Sequence, residues 1–258
     1  MSPLVRSGSV AVHFIHIGKT GGTAIKHALR PLRGTETPFG PIAIHKGHQF
    51  SLADVQPGEF AIFCMRDPIA LFISAFDSRL RKGQPTFFFE WTPAEAEAFA
   101  RFPTPQALAM ALASDDPEVR PHAEAAMRDI RHLRGIRRAL GSSRDVIARR
   151  KQIAYLGRQE TLDADWRRMR TVLRLPEHVS LPDDPKKAHR RDRSVEPPLD
   201  EAARAALRRW YWREYEILRV CERLRAANGW NGEPPQPRLA WSLALRRYGA
   251  PLRRLARV

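Results

Sequence analysis

Val10 to Ile17 (VAVHFIHI) runs straight into Gly18-Lys19-Thr20-Gly21-Gly22-Thr23, and this junction decides the fold. The apolar, β-branched run reads as a buried strand, and the glycines after it as a tight loop. Beyond the loop, Ile25, Ala28 and Leu29 fall at helical spacing until Pro31, which has no amide hydrogen and discourages continuation. Unpaired backbone N–H groups and the helix dipole converge on such a loop, so the unit predicts a phosphate-type anion site.

The layout recurs. Glu59 to Met65 (EFAIFCM) leads into Arg66-Asp67-Pro68 and a helix with Leu71, Phe72, Ala75, Phe76 and Leu80 on one face. Ile153 to Leu156 precedes Gly157-Arg158-Gln159-Glu160 and a helical pattern around Trp166 and Met169. Strands alternating with helices predict an α/β fold, a three-layer parallel sheet covered by helices on both faces. Residues 85–150, rich in Ala and Arg and punctuated by proline, read as a helical insertion on that sheet. Residues 182–198 (PDDPKKAHRRDRSVEPP) are too polar and Pro-rich for core and read as a mobile basic loop. A last helix, Asp200 to Arg225, buries Leu207, Trp210, Tyr211, Ile217, Leu218 and Leu224. The expected organisation is one domain over 1–230, then a Pro-rich linker and a basic amphipathic tail over 231–258.

The chain has 258 residues, 44 Lys and Arg against 28 Asp and Glu, and a net charge of +16. That excess predicts an anionic partner without naming it. Its two cysteines, Cys64 and Cys221, cannot build a disulfide framework or a four-cysteine metal site, so a reduced, cytoplasmic protein is expected. No apolar run reaches the ~18 residues that span a bilayer, and the first apolar run is too short and too mixed with His for a signal peptide. In the tail, Trp241, Leu245, Tyr248, Leu252 and Leu255 share a face flanked by arginines, which fits either peripheral docking on an anionic membrane or packing on the domain.

A nucleotide kinase of the Walker A type needs glycine five residues before the Gly-Lys-Thr, where His13 stands, and acidic magnesium ligands, which do not cluster near the loop. The glycines instead follow Lys19. The order His16-Ile17-Gly18-Lys19-Thr20-Gly21-Gly22-Thr23 resembles the 5′-phosphosulfate loop of the sulfotransferases, usually written with Pro at the place of Gly18. Arg66-Asp67-Pro68 with Ser74 resembles the same family's 3′-phosphate site, and Tyr155 to Leu162 with Asp165-Trp166 extends the likeness. Leu71 stands where the family often has a further Arg, with Arg79 or the basic loop as the expected substitute.

The resemblance implies a P-loop-like sulfotransferase fold and transfer of a sulfuryl group from 3′-phosphoadenosine 5′-phosphosulfate to a hydroxyl or amine acceptor, with no metal required. Gly18, Lys19, Thr20, Gly21, Gly22, Thr23 and Ala24 would hold the phosphosulfate, Arg66 and Ser74 the 3′-phosphate, and Arg193 and Ser194 would close over the nucleotide. Gly47-His48 resembles the base-bearing pair of carbohydrate-directed members, so His48 is the expected base, His45 the spare, and a glycan or glycolipid the expected acceptor. Glu160 reads as a loop-fixing carboxylate rather than a base. The competing classes are the nucleotide-dependent kinase and a non-enzymatic basic binder of nucleic acid or membrane surfaces. The latter explains the charge but not the two motifs, and no helix-turn-helix, zinc finger or stacking platform is present, so no specific nucleic acid is expected.

Overall fold

A computed structural model describes residues 10–85, 87–183 and 199–235. Four parallel strands, β1 (Val12–Phe14), β2 (Ile42–Ile44), β3 (Phe60–Met65) and β4 (Ile153–Arg158), lie in the order β2-β1-β3-β4. The crossovers carry α1 (Gly22–Leu29) between β1 and β2 and α2 (Pro68–Leu80) after β3. They also carry the short helices α3 (Pro93–Arg101), α4 (Pro105–Ala111), α5 (Arg120–Asp129), α6 (Arg137–Leu140) and α7 (Ser143–Ala148) before β4. After β4 come α8 (Leu162–Leu173), α9 (Glu201–Trp210) and α10 (Trp212–Ala227).

Alternation of side chains along each strand divides the core into two faces. Val12, Phe14, Ile62, Cys64 and Tyr155 pack with α1 (Ala24, Ile25, Leu29) and α8 (Trp166, Met169, Leu173). Ile15, Ala61, Phe63, Met65 and Leu156 face the other way, onto Phe72 and Phe76 of α2, Val146 of α7, and Ile217 and Cys221 of α10. The expected three-layer α/β sandwich is therefore present. Between Ala61↔Ile153 and Ile62↔Tyr155 the register slips by one residue, so Ala154 and Tyr155 both turn to the α1/α8 face.

Helix starts follow local chemistry. Asp67 caps α2 by accepting from the N–H groups of Ile69 (2.9 Å) and Ala70 (3.0 Å), with Pro68 at the first turn. Thr92 with Glu95 and Ser142 with Asp145 form capping boxes for α3 and α7. Pro93, Pro105 and Pro121 sit at helix starts, where their missing N–H costs nothing.

Two local readings change. Strand β2 was not anticipated, because three residues are too few to show a period. α1 stops at Leu29, before Pro31 as the spacing predicts, and a single 3-10 turn, Arg30–Leu32, follows it. The helix expected over Asp200 to Arg225 is two, broken where Tyr211 leaves helical geometry (φ −91°, ψ 22°) and its hydroxyl donates to the Leu133 carbonyl at 2.8 Å. No helix among the described residues is long and apolar enough to cross a membrane.

Candidate active site

The site lies at the C-terminal ends of β1 and β3, where parallel α/β sheets place ligands. After Ile17 the chain reverses through Lys19 (φ 64°) and Gly21 (φ 81°), with the buried Thr20 hydroxyl donating to the Ile17 carbonyl at 2.9 Å. No side chain caps α1. The Gly21 carbonyl accepts from the N–H groups of Ala24 (3.1 Å) and Ile25 (3.3 Å), which leaves those of Gly22 and Thr23 at the open helix end. Side chains are excluded here for packing reasons as well. A Cβ on Gly22 would stand 2.1 Å from the His16 ring, and one on Gly21 2.8 Å from Leu162. The result is a backbone cradle with unsatisfied donors and a positive helix end.

Lys19 sits in this loop, half-buried, and its carbonyl accepts from Arg66 Nη1 at 3.0 Å. Arg66, buried at the end of β3, thus ties the second strand end to the first loop. Burial, together with the guanidinium groups of Arg81, Arg66 and Arg79 and against the pull of Asp77, lowers the Lys19 ammonium to about 8. Ser74 is half-buried on α2. Arg79, the expected substitute for the family arginine at Leu71, is spent elsewhere: it is buried in an ion pair with Glu95 (2.6 Å). Arg81, which no motif singled out, is the foremost charge acting on Lys19. Arg193 and Ser194, like residues 184–198 as a whole and the tail from 236 on, lie outside the described residues.

Two histidine groups form, one beside the loop and one on the sheet. In the first, His48 Nδ1 is 2.8 Å from the His16 carbonyl, and the His48 ring lies 4.1 Å from the His16 ring and 5.9 Å from that of His132. A carbonyl only accepts, so His48 Nδ1 carries a proton, and in the neutral imidazole Nε2 is the nitrogen with the lone pair. His132 stands 3.4 Å from where a Gly18 Cβ would lie. Burial first, and then the Lys19 charge, lower its imidazole to about 4, so it is neutral at pH 7. Sequence reasoning missed His132, which the insertion brings to the loop from outside any motif.

In the second group, His45 Nε2 is 2.9 Å from His13 Nδ1, and its ring stacks 3.7 Å from that of Phe50. His13 Nε2 in turn lies 3.1 Å from Glu59. Burial, His13 and Lys26 lower His45 to about 4. The spare candidate base therefore belongs to a packed cluster on the sheet, with its Nε2 already engaged.

Glu160 acts as the loop-fixing carboxylate its position predicted, accepting from Asp67 N (2.8 Å) and Arg158 Nε (2.8 Å). Tyr215 donates to Asp67 Oδ2 at 3.0 Å, which fastens α10 to the start of α2. Among the described residues, no group of three or more His, Cys, Asp or Glu is placed to hold a metal ion.

A lysine-bearing glycine loop between a buried strand and an uncapped helix, at the C-terminal edge of a parallel sheet, defines a phosphate-loop-type transferase fold. The chain belongs to the sulfotransferase family, whose family model matches residues 3–219. The activity that goes with this membership is sulfuryl transfer. No curated protein and no solved structure matches the chain.

Proposed function

We propose that the chain transfers a sulfuryl group from 3′-phosphoadenosine 5′-phosphosulfate to a hydroxyl or amine acceptor, with a glycan or glycolipid as the favoured acceptor class. The observation that carries this reading is the pairing of His48 with the loop: the carbonyl of His16, two residues before Gly18, fixes the His48 tautomer that leaves Nε2 basic. Base and cationic loop are thereby tied together across two segments of the chain, the turn after β2 and the end of β1.

The donor fits the cradle through the open N–H groups of Gly22 and Thr23 and the dipole of α1, which favour the phosphosulfate oxygens. The 3′-phosphate falls to Arg66 and Ser74 by the resemblance. In the reaction the acceptor oxygen bonds to sulfur as the bond from sulfur to the 5′-phosphate oxygen breaks. His48 Nε2 takes the acceptor's proton, and the Lys19 ammonium offsets the negative charge growing on the departing phosphate. His132, neutral and half-buried, adds no further positive charge beside Lys19. This chemistry calls for no metal, and a reduced, cytoplasmic setting is supported by Cys64 and Cys221, both buried and unpaired.

Calorimetry tests the donor. Adenosine 3′,5′-bisphosphate is expected to bind much more tightly than AMP, and Arg66→Ala to remove ~1.5–3 kcal/mol of that binding. Equal affinity for the two nucleotides would remove the donor assignment.

A further inference from the structure

We propose that the turn after α2 is a docking surface for an anionic lipid bilayer, with Phe87, Phe88 and Phe89 as its apolar wedge and Arg81 and Lys82 at its base. These consecutive phenylalanines are 52%, 57% and 53% exposed. A contiguous aromatic run left in water marks a contact surface rather than ordinary surface composition.

The described residues on either side of Thr86 are pinned in place. Arg79 on α2 and Glu95 on α3, both buried, pair through Nη2 (2.6 Å) and Nε (2.8 Å). The same guanidinium donates to the carbonyls of Phe89 (3.1 Å) and Glu90 (3.2 Å), and Trp91 Nε1 donates back to the Arg79 carbonyl (2.7 Å). Backbone bonds from Phe87 N to the Gly83 carbonyl (3.1 Å) and from Phe89 N to the Lys82 carbonyl (2.8 Å) close it. A buried ion pair is a costly anchor. Here it fixes the backbone of a segment whose three rings are each about half exposed.

Charge selects the occupant. Arg81 is exposed at the stem, and Lys82 lies over the rings of Phe88 (5.8 Å) and Trp91 (5.0 Å) while pairing with Glu90 (2.7 Å). Arg131 is also exposed, and its backbone N–H reaches the same Glu95 anchor at 3.0 Å. A basic rim repels the chain's own tail, which carries Arg246, Arg247, Arg253 and Arg254, and repels a second copy of itself. Acidic headgroups complement it, with the rings at the acyl boundary. The surface also borders the transfer site, since Arg81 and Arg79 both act on the Lys19 ammonium. A bilayer seated there would present headgroup acceptors beside the loop, although the docking itself does not depend on the donor assignment.

Cys64 and Cys221 are buried, so one introduced cysteine can be labelled selectively in the full-length chain. Phe88→Cys carrying an environment-sensitive nitrobenzoxadiazole is expected to brighten and shift to the blue with vesicles of phosphatidylcholine and phosphatidylserine, but not with phosphatidylcholine alone. Combining Phe87→Ser, Phe88→Ser and Phe89→Ser should weaken co-sedimentation with the acidic vesicles ~10-fold or more, with an unchanged melting temperature. A label already blue-shifted without vesicles, and indifferent to them, would show that the protein itself covers the turn and would overturn the proposal. So would a water-exposed label that acidic vesicles leave unchanged, or a triple variant that sediments like the parent, which would assign vesicle binding to the basic tail.

Discussion

Two strand-to-helix turns stand side by side at the top of the sheet and end in opposite states. The β3–α2 turn is closed: Asp67 satisfies the N–H groups of Ile69 and Ala70, Glu160 takes the N–H of Asp67, and Tyr215 holds the second Asp67 oxygen. The β1–α1 turn has a glycine at the cap, no side chain on the helix end, and a lysine in its loop. Both helices have the same dipole, so the helix end alone does not make a site. What distinguishes them is which one leaves its donors unspent. Farther along, the β4–α8 turn is closed more thoroughly, around Asp165. That residue has no exposed surface and accepts from Tyr155 (2.6 Å), Thr161 (2.6 Å), Arg158 N (3.1 Å) and Arg225 (3.0 Å). Changes at the open turn should therefore cost function and spare stability, and changes at the carboxylates that close the other two turns, Asp67 and Asp165, should do the reverse.

The largest effect is expected at His48, which is exposed and contributes little packing. His48→Ala should lower turnover ~100- to 10,000-fold while affinity for adenosine 3′,5′-bisphosphate holds within a few-fold. Full activity in His48→Ala, with activity lost in a folded His45→Ala, would move the base to the other histidine group. Next is Asp165→Ala, which strands the buried Arg225 and the Tyr155 hydroxyl and should cost ~3–5 kcal/mol in urea unfolding. If that variant lost donor affinity at unchanged stability, the contrast between open and closed turns would fail.

Lys19→Ala should slow transfer ~100-fold and weaken donor binding as well, because its ammonium acts on charge in both states. The ammonium is lowered to about 8, chiefly by burial. Only its protonated form attracts the anion, so bisphosphate affinity should fall as pH rises through about 8, and Lys19→Arg, charged throughout, should flatten that fall. The smallest effect belongs to Asp67→Ala, which removes the cap of α2 at a cost of ~1 kcal/mol or somewhat more in stability. Asp67→Asn should recover most of the loss, since its side-chain oxygen still accepts from Ile69 and Ala70.

The open turn was legible in the sequence because most of what makes it is local: a β-branched run, a glycine where a Cβ would strike His16, and a helical period from Ile25 to Leu29. Arg66 and Glu160 were legible for the same reason, each standing at the end of an apolar strand. What was not legible depends on packing across long separations. His132 reaches Gly18 only because the insertion folds back over the sheet, and Arg79 looked available until Glu95, on the next helix, claimed it. His45 and His48 are three residues apart and look alike in sequence, yet β2 aims one at His13 and Phe50 and the turn after it delivers the other to His16.

On the proposed reading, the α1 end, and not the α2 end, receives the donor's 5′-phosphate group. Amide NMR on nitrogen-15-labelled protein titrated with adenosine 3′,5′-bisphosphate separates the two ends. The Gly22 and Thr23 amides, now without a backbone partner, should move farthest and gain protection from exchange, while those of Ile69 and Ala70, already bonded to Asp67, should move little. Large shifts at Ile69 and Ala70 with none at Gly22 and Thr23 would contradict it.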